Sequence, residues 1–263
     1  MGLAGLLKSQ GAYTEAEPLY QHVVAILENT MGLQHLSLAR PLNELAEVLS
    51  NLGNHDEAKS LYRRCLAITE EAVGADDPSV ARLLENLAEV YKSQGNFNEA
   101  GLLYKRSLAI REGDLGSEHP DVAIALKNLA GVLATQGDHK EAELLFRRSM
   151  SIQEKALGPE HPSVGRTLYT LAGLLESQGL CTEAATLYQR TLCIEEETLG
   201  LDHLDVATTL MDLAGLLQSQ DEPEKALPLF VRALAIRTHG LGGDHENTIM
   251  VQQLVDIVEK QVG

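Results

Sequence analysis

Residues 116–157 read GSEHPDVAIALKNLAGVLATQGDHKEAELLFRRSMSIQEKAL, and this stretch decides the fold. Its apolar residues recur at helical spacing on both sides of a break at Gly137. The first run predicts a helix over about 120–135, which opens at a proline whose missing N–H costs nothing in the first turn. The second run predicts a helix over about 139–156. We expect its inner face to carry Ala142, Leu145, Phe146, Ser149 and Ile152.

The same pattern returns every 42 residues along the chain. Each unit has Leu-Ala in its first helix, and an alanine and an aromatic residue in its second. A fixed period in this range is typical of a solenoid, whose units must stack because none buries its apolar face alone. We interpret the aromatic residues as packing residues between the two helices: Tyr20, Tyr62, Tyr104, Phe146, Tyr188 and Phe230.

The repeat runs from end to end, which predicts one array over residues 1–263. Its first helix is shorter than the others, so we expect a truncated first repeat. In the last repeat, Asp221-Glu222-Pro223 replaces the glycine turn. A capping helix is predicted over 247–261, with Ile249, Leu254, Ile257 and Val258 against the last repeat, and Gln252, Gln253, Glu259 and Lys260 in water. The predicted units are 1–32, 33–74, 75–116, 117–158, 159–200 and 201–242.

The arrangement of helix, turn and helix with these small residues resembles the tetratricopeptide repeat. The unit length, and phrases such as Leu115-Gly-Ser-Glu-His-Pro-Asp-Val122 and Lys127-Asn-Leu-Ala130, look like the tetratricopeptide domain of kinesin light chain. The resemblance implies an all-α, right-handed superhelical solenoid of antiparallel helix pairs, with about six units and a capping helix. It also implies that the protein binds other proteins through a concave groove lined by the first helices.

The composition of the chain limits the classes of partner and the compartment that we expect. The net charge is −17, which argues against nucleic acid and anionic membranes, because both bind through lysine and arginine. No signal peptide or long apolar segment is present, and the cysteines Cys65, Cys181 and Cys193 form no paired framework. We therefore expect a cytoplasmic protein with reduced thiols, and we expect Cys65 and Cys193 to be small core residues.

The sequence predicts neither a catalytic site, nor a metal site, nor a cofactor. The recurring histidines His35, His119, His161, His203 and His245 occupy one corner of separate repeats, whereas zinc needs about four ligands around one point. No phosphate-binding loop, GxSxG or HExxH motif occurs. Glu195, Glu196 and Glu197 are expected on a solvated helix face with ordinary pKa values.

Side chains beside Leu-Ala are expected to face the groove. Asparagine can donate to and accept from a peptide backbone at once, and bare glycines beside an aromatic and a methionine allow close approach of a ligand. Alternatively, Gly131, Gly173 and Gly215 permit tight helix packing. The candidate peptide-binding residues are Arg82, Asn86, Lys127, Asn128, Gly131, Arg166, Tyr169, Gly173 and Met211.

Arg40, Arg82, Lys127 and Arg166 are predicted to form a basic line suited to an acidic peptide. Alternatively, Glu44, Glu47, Glu85 and Glu89 neutralise the first two of these cations. Two functions follow from the sequence. The first is a non-enzymatic adaptor that binds a peptide or helical segment of a partner in the groove. The alternative is a structural module that docks through its convex second helices or its open N-terminal repeat, with self-association or a larger complex as the result.

Overall fold

The structure is a computed structural model that describes residues 2–262, and the long elements in this range are all helices. The repeats begin with the helices α1 (Gly2–Ser9), α3 (Ala39–Asn51), α5 (Pro78–Ser93), α7 (Pro120–Gln136), α9 (Pro162–Ser177), α11 (Leu204–Ser219) and α13 (Glu246–Val262). They continue with the second helices α2 (Tyr13–Met31), α4 (His55–Val73), α6 (Phe97–Leu115), α8 (His139–Leu157), α10 (Cys181–Leu199) and α12 (Pro223–Leu241). A short 3-10 helix, Leu36–Leu38, precedes α3.

The helix bounds follow the predicted pattern to within a residue or two. α7 and α8 end one residue beyond their predicted C-termini, and α1 has only eight residues. The predicted array also includes Met1 and Gly263, which lie outside the described residues.

Contacts divide the chain into two compact units, Met1–Asp138 and His139–Gly263. In the first unit each helix from α1 to α7 packs against the next, and α3 also contacts α5. In the second unit each helix from α8 to α13 packs against the next. Because the connections are short, neighbouring helices run antiparallel, so each unit is a short solenoid of stacked helix pairs.

The residues that repeat in the sequence form the core, as predicted. The alanine of Leu-Ala in one helix and the alanine of Glu-Ala in the next are completely buried, for example Ala88 and Ala100. Small side chains at both positions let the two helices approach closely. The aromatic residues beside them, such as Tyr104 and Phe230, are also buried, which confirms their packing role.

The recurring histidines cap the first helices. The Nδ1 atom of His161 accepts a hydrogen bond from the backbone N–H of Ser163 at 3.1 Å, which satisfies one of the free donors at the start of α9. In the first unit Asp77 takes this place and accepts from Ser79 at 2.9 Å. His119, His203 and His245 make the same bond, and His35 makes it at the 3-10 helix that precedes α3.

The turn that closes the first helix of each repeat needs a left-handed residue. Gly95, Gly137 and Gly179 supply it with positive φ angles. In the last repeat Asp221 adopts the same conformation with φ of 62°. Aspartate tolerates this region better than most residues do, so the turn survives the loss of glycine.

The capping helix α13 forms, but the prediction of its buried face was partly wrong. Val251, Val255 and Val258 are buried against the last repeat. Ile249 and Ile257, which were expected to pack there, are 45% and 49% exposed. The buried valines and the exposed isoleucines are both spaced as residues on one face of a helix. Which face is buried depends on the direction in which α12 lies.

Within each unit, arginines of the second helices contact the preceding second helix, and the repeat pattern did not predict these contacts. Arg190 on α10 contacts Glu154 on α8 at 2.6 Å and donates to the carbonyl of Pro159 at 3.1 Å. Arg64, Arg106 and Arg232 each make the same pair of contacts within their own unit, to Glu28 and Leu33, Glu70 and Ala75, and Glu196 and Leu201. The planar guanidinium suits this double contact because it presents several donors in a fixed geometry.

We predict that Arg190→Ala lowers the free energy of unfolding by about 1 kcal/mol, because it removes a partly exposed ion pair and a bond to a carbonyl. Arg190→Lys keeps the charge without the fork and should fall between Ala and wild type. Thermal and urea unfolding followed by circular dichroism measure the change. The control is Arg166→Ala, an exposed arginine of the same unit. Equal stability of the two alanine variants would contradict the prediction.

Candidate binding surfaces

In the first unit, the candidate residues lie on α5 and α7. Arg82 is exposed, while Asn86, Lys127, Asn128 and Gly131 are partly buried. The Nδ2 atom of Asn86 donates to Oδ1 of Asn43 at 2.9 Å, a contact between α5 and α3. One of the two asparagines predicted to meet a peptide thus also joins adjacent first helices.

The acidic residues of this surface have partners other than those expected. Glu85 receives two hydrogen bonds from Arg111, at 2.7 and 2.8 Å. Glu44 and Glu47 both pair with Lys8, at 2.7 and 2.9 Å. These glutamates thus pair with Lys8 and Arg111 and, in the described part of the chain, make no ion pair with Arg40 or Arg82, and both arginines are exposed.

The predicted basic line is also interrupted within the first unit. The residue one period after Arg82 is Ile124, which is 49% exposed. Lys127 lies three residues further along α7, close to one helical turn away. Arg82 and Lys127 therefore occupy different levels of their helices.

In the second unit, the candidate residues lie on α9 and α11. Arg166 is exposed, and Tyr169, Gly173 and Met211 are partly buried. Tyr169 donates to Oδ2 of Asp212 at 2.5 Å, which links the two helices. Met211 packs against core residues on both sides, so much of its side chain is structural.

The glycines of these surfaces are not required by tight packing. A Cβ atom added at Gly131 or Gly215 would meet nothing within 4 Å, and one added at Gly173 would lie 3.6 Å from the hydroxyl of Tyr188. All three are helical, where glycine costs about 1 kcal/mol relative to alanine. The packing alternative therefore does not explain them.

The hydroxyl groups of the packing tyrosines reach acidic residues of the first helices. Tyr104 donates to Glu89, and Tyr188 donates to Glu176 at 2.9 Å. Burial, reinforced by the neighbouring carboxylates, raises the pKa of both tyrosines. The sequence carries a signal for this arrangement. Phe230 has no hydroxyl group, and the repeat positions of Glu89 and Glu176 in the helix before it hold the uncharged residues Gly215 and Gln218.

Two sequence expectations about polar residues of the second helices were wrong. Cys193 is exposed rather than in the core, whereas Cys65 is buried and burial raises the pKa of its thiol to about 11. Glu195 is half-buried rather than solvated, and Thr209 donates to it at 2.7 Å. Burial raises the pKa of Glu195, and the hydrogen bond from Thr209 offsets part of that effect.

We predict that Glu195→Gln raises the melting temperature at pH 7. The raised pKa means that the folded state binds this proton more tightly than the unfolded chain does, so stability falls as pH rises above the ordinary value of 4.5. Glutamine cannot ionise, so it removes this loss of stability, and its side-chain oxygen can still accept the hydrogen bond from Thr209. One repeat earlier, Thr167 donates to the side-chain oxygen of Gln153 at 2.8 Å in the same way.

The measurement is thermal unfolding of both proteins from pH 4 to pH 8, with exposed Glu197→Gln as the control. The advantage of Glu195→Gln should shrink as pH falls toward 4.5. A variant that is equally or less stable at pH 7 would overturn the assignment.

Within residues 2–262, no group of three or more histidine, cysteine or acidic side chains is arranged to hold a metal ion. In the same range, every helix is either too short or too polar to cross a bilayer.

The family model for the tetratricopeptide repeat matches residues 1–71, 37–113, 79–155, 121–194 and 163–239. The chain belongs to the tetratricopeptide repeat family. The solved structures that resemble it include BtubC (BKLC) from P. vanneervenii, with 22% identity and a TM-score of 0.74 over 88% of this chain and 91% of that chain. This likeness shows the fold alone.

A protein of Podosopora anserina described as a kinesin light chain with nearly identical TPR-like repeats has 28% identity and a TM-score of 0.69. The match covers 79% of this chain and 98% of that chain. No curated protein sequence matches the chain significantly. The protein is therefore an all-α tetratricopeptide solenoid of the kinesin light chain-like type. Such repeats are generally non-enzymatic modules that bind other proteins.

Proposed function

We propose that this protein is a non-enzymatic adaptor that binds a peptide or a helical segment of a partner protein on the surfaces formed by its first helices. The observation that carries the proposal is the open surface at the glycines. Gly215 has nothing within 4 Å of an added Cβ, although it lies in the middle of α11. Beside it, Tyr169 and Met211 are only partly buried. A partner side chain could approach the backbone there and cover apolar surface.

The first unit offers a related surface with different chemistry. Gly131 is open in the same way, and Asn128 precedes it by three residues on α7. The amide of Asn128 can both donate to and accept from a peptide backbone, and exposed Arg82 on α5 can pair with an acidic residue.

The proposal includes the compartment and the class of partner. The excess of acidic residues disfavours nucleic acid, so the partner is a protein. We place the adaptor in the cytoplasm, where the unpaired thiols of Cys65, Cys181 and Cys193 stay reduced.

Blocking the open glycines tests the proposal without damaging the fold. Gly131→Gln and Gly215→Gln fill the two surfaces, and because glutamine favours helix over glycine they should raise stability by about 0.5–1 kcal/mol. Peptides are selected from a displayed library against the wild type and each variant. We expect a motif that the wild type enriches and that one of the blocked variants loses.

The matched control is Gly113→Gln, an exposed glycine of the second helix α6 with nothing within 4 Å of an added Cβ. It should enrich the same motif as the wild type. Equal enrichment by all four proteins, or none by any, would move binding away from the first helices.

A specific observation also favours the assembly role as a second candidate. On α1, Leu3 and Leu6 are 63% and 54% exposed, and α13 exposes Ile249, Met250 and Ile257. Large apolar side chains that are exposed together on one helix favour a contact with another protein.

We predict that, if these faces pair with one another in a second copy, the mass of the protein rises with concentration. Leu3→Gln with Leu6→Gln should then return it to a monomer, because the substitutions replace exposed apolar groups. Sedimentation velocity over a hundredfold concentration range measures this. A wild type that stays monomeric throughout would exclude self-association through these faces.

A further inference from the structure

In the first unit, two carboxylates that accept a hydrogen bond from a tyrosine also form an ion pair with a lysine of the same chain. Tyr20 donates to Glu44, and the ammonium group of Lys8 lies 2.7 Å from the same carboxylate oxygen. Tyr104 donates to one oxygen of Glu89, and the ammonium group of Lys92 lies 2.6 Å from the other. In both cases, the carboxylate on a first helix accepts a hydrogen bond from a tyrosine and also pairs with a lysine.

The second unit has two such pairs without a cation. Tyr188 donates to Oε2 of Glu176, and Tyr169 donates to Oδ2 of Asp212. Glu176 itself occupies the repeat position of Lys8 and Lys92, since it lies four periods of 42 residues after the first. Neither α9 nor α11 contains a lysine, and no cation pairs with Glu176 or Asp212 in the part of the chain that the structure describes.

Contacts connect these four groups in sequence, from Glu176 through Tyr188 and Tyr169 to Asp212. Tyr169 and Glu176 are seven residues apart on α9, so they share a face of the helix. The rings of Tyr169 and Tyr188 meet edge to face, with centroids 5.7 Å apart. Besides burial, both carboxylates raise the pKa of each tyrosine, which places all four groups in one negative field. The only basic residue of these two helices, Arg166, lies ten residues before Glu176, about 15 Å along the helix.

The site is also accessible. Glu176, Tyr169 and Asp212 are partly exposed, and each tyrosine occupies only one oxygen of its carboxylate. Gly173, between Tyr169 and Glu176, has no side chain to cover the hydroxyl of Tyr188. An ammonium or guanidinium group that enters there can donate to the remaining carboxylate oxygens and lie against an aromatic ring.

We propose that Tyr169, Glu176, Tyr188 and Asp212 form a site for a lysine or arginine side chain of the partner protein. The proposal rests on the adaptor function above and names the chemistry of one recognised residue. It reverses, for the second unit, the expectation of an acidic peptide. The partner supplies the positive charge that Lys8 and Lys92 supply in the first unit.

The test combines Glu176→Gln with Asp212→Asn. Both substitutions remove charge and keep an oxygen that can accept from the tyrosine, so the fold should persist. The control pair, Glu197→Gln with Asp202→Asn, removes the same charge from exposed positions elsewhere in the second unit. In the library selection, we expect a motif with a fixed lysine or arginine from the wild type and the control. The double variant should bind that peptide at least about tenfold more weakly, since it loses charged hydrogen bonds.

A direct titration separates this proposal from the adaptor function. Nα-acetyl-lysine methylamide is added to protein with a labelled Met211 methyl group, which lies beside Asp212 in the sequence, and NMR records the shift. The wild type should respond and the double variant should not, and the norleucine analogue should have no effect on either. A peptide motif that lacks a basic residue, or one that the double variant binds unchanged, would overturn the cation site and leave the adaptor function standing. A wild type that does not respond to the lysine probe would overturn it as well.

Discussion

Each helix pair of this protein leaves an apolar face that only an adjacent pair can cover, and the rest of the structure depends on this constraint. In the first unit, Val80, Leu84 and Ile110 form one such cluster, and Leu66 of the preceding second helix packs against it. The same positions must be apolar or small in every repeat. The chain can therefore vary only where side chains leave this interface, and its binding chemistry must lie at those positions.

Polar contacts reinforce the stack on the two kinds of helix. Arginines such as Arg190 connect one second helix to the previous one, while Asn86 and Tyr169 connect neighbouring first helices. Contacts of the first kind repeat with the same residues, so they serve the stack. Those of the second kind differ from repeat to repeat. A surface that changes while the framework stays constant is where a repeat protein acquires a specific partner.

The period, the helix bounds and the packing aromatics could be predicted from the sequence because each is fixed by contacts inside a repeat. The exposure of Ile257 and the partial burial of Glu195 could not be predicted, because they depend on the direction of a neighbouring helix. Partners such as Lys8 for Glu44 lie 36 residues apart and follow no short motif. A hydrogen bond such as that of Tyr188 to Glu176 does leave a signal in the sequence. One repeat later the tyrosine is replaced by Phe230, and the glutamate position holds Gln218.

The distribution of charge, more than its total, decides what the surfaces can bind. In the first unit the glutamates of the first helices each have a cation within hydrogen-bonding distance, which is Lys8, Lys92 or Arg111. In the second unit Glu176 and Asp212 have tyrosines as partners, and a tyrosine hydroxyl donates a hydrogen bond without contributing charge. Both carboxylates are partly buried, and neither has a cation beside it in the part of the chain that the structure describes. Their most favourable further contact is therefore a cation from another molecule.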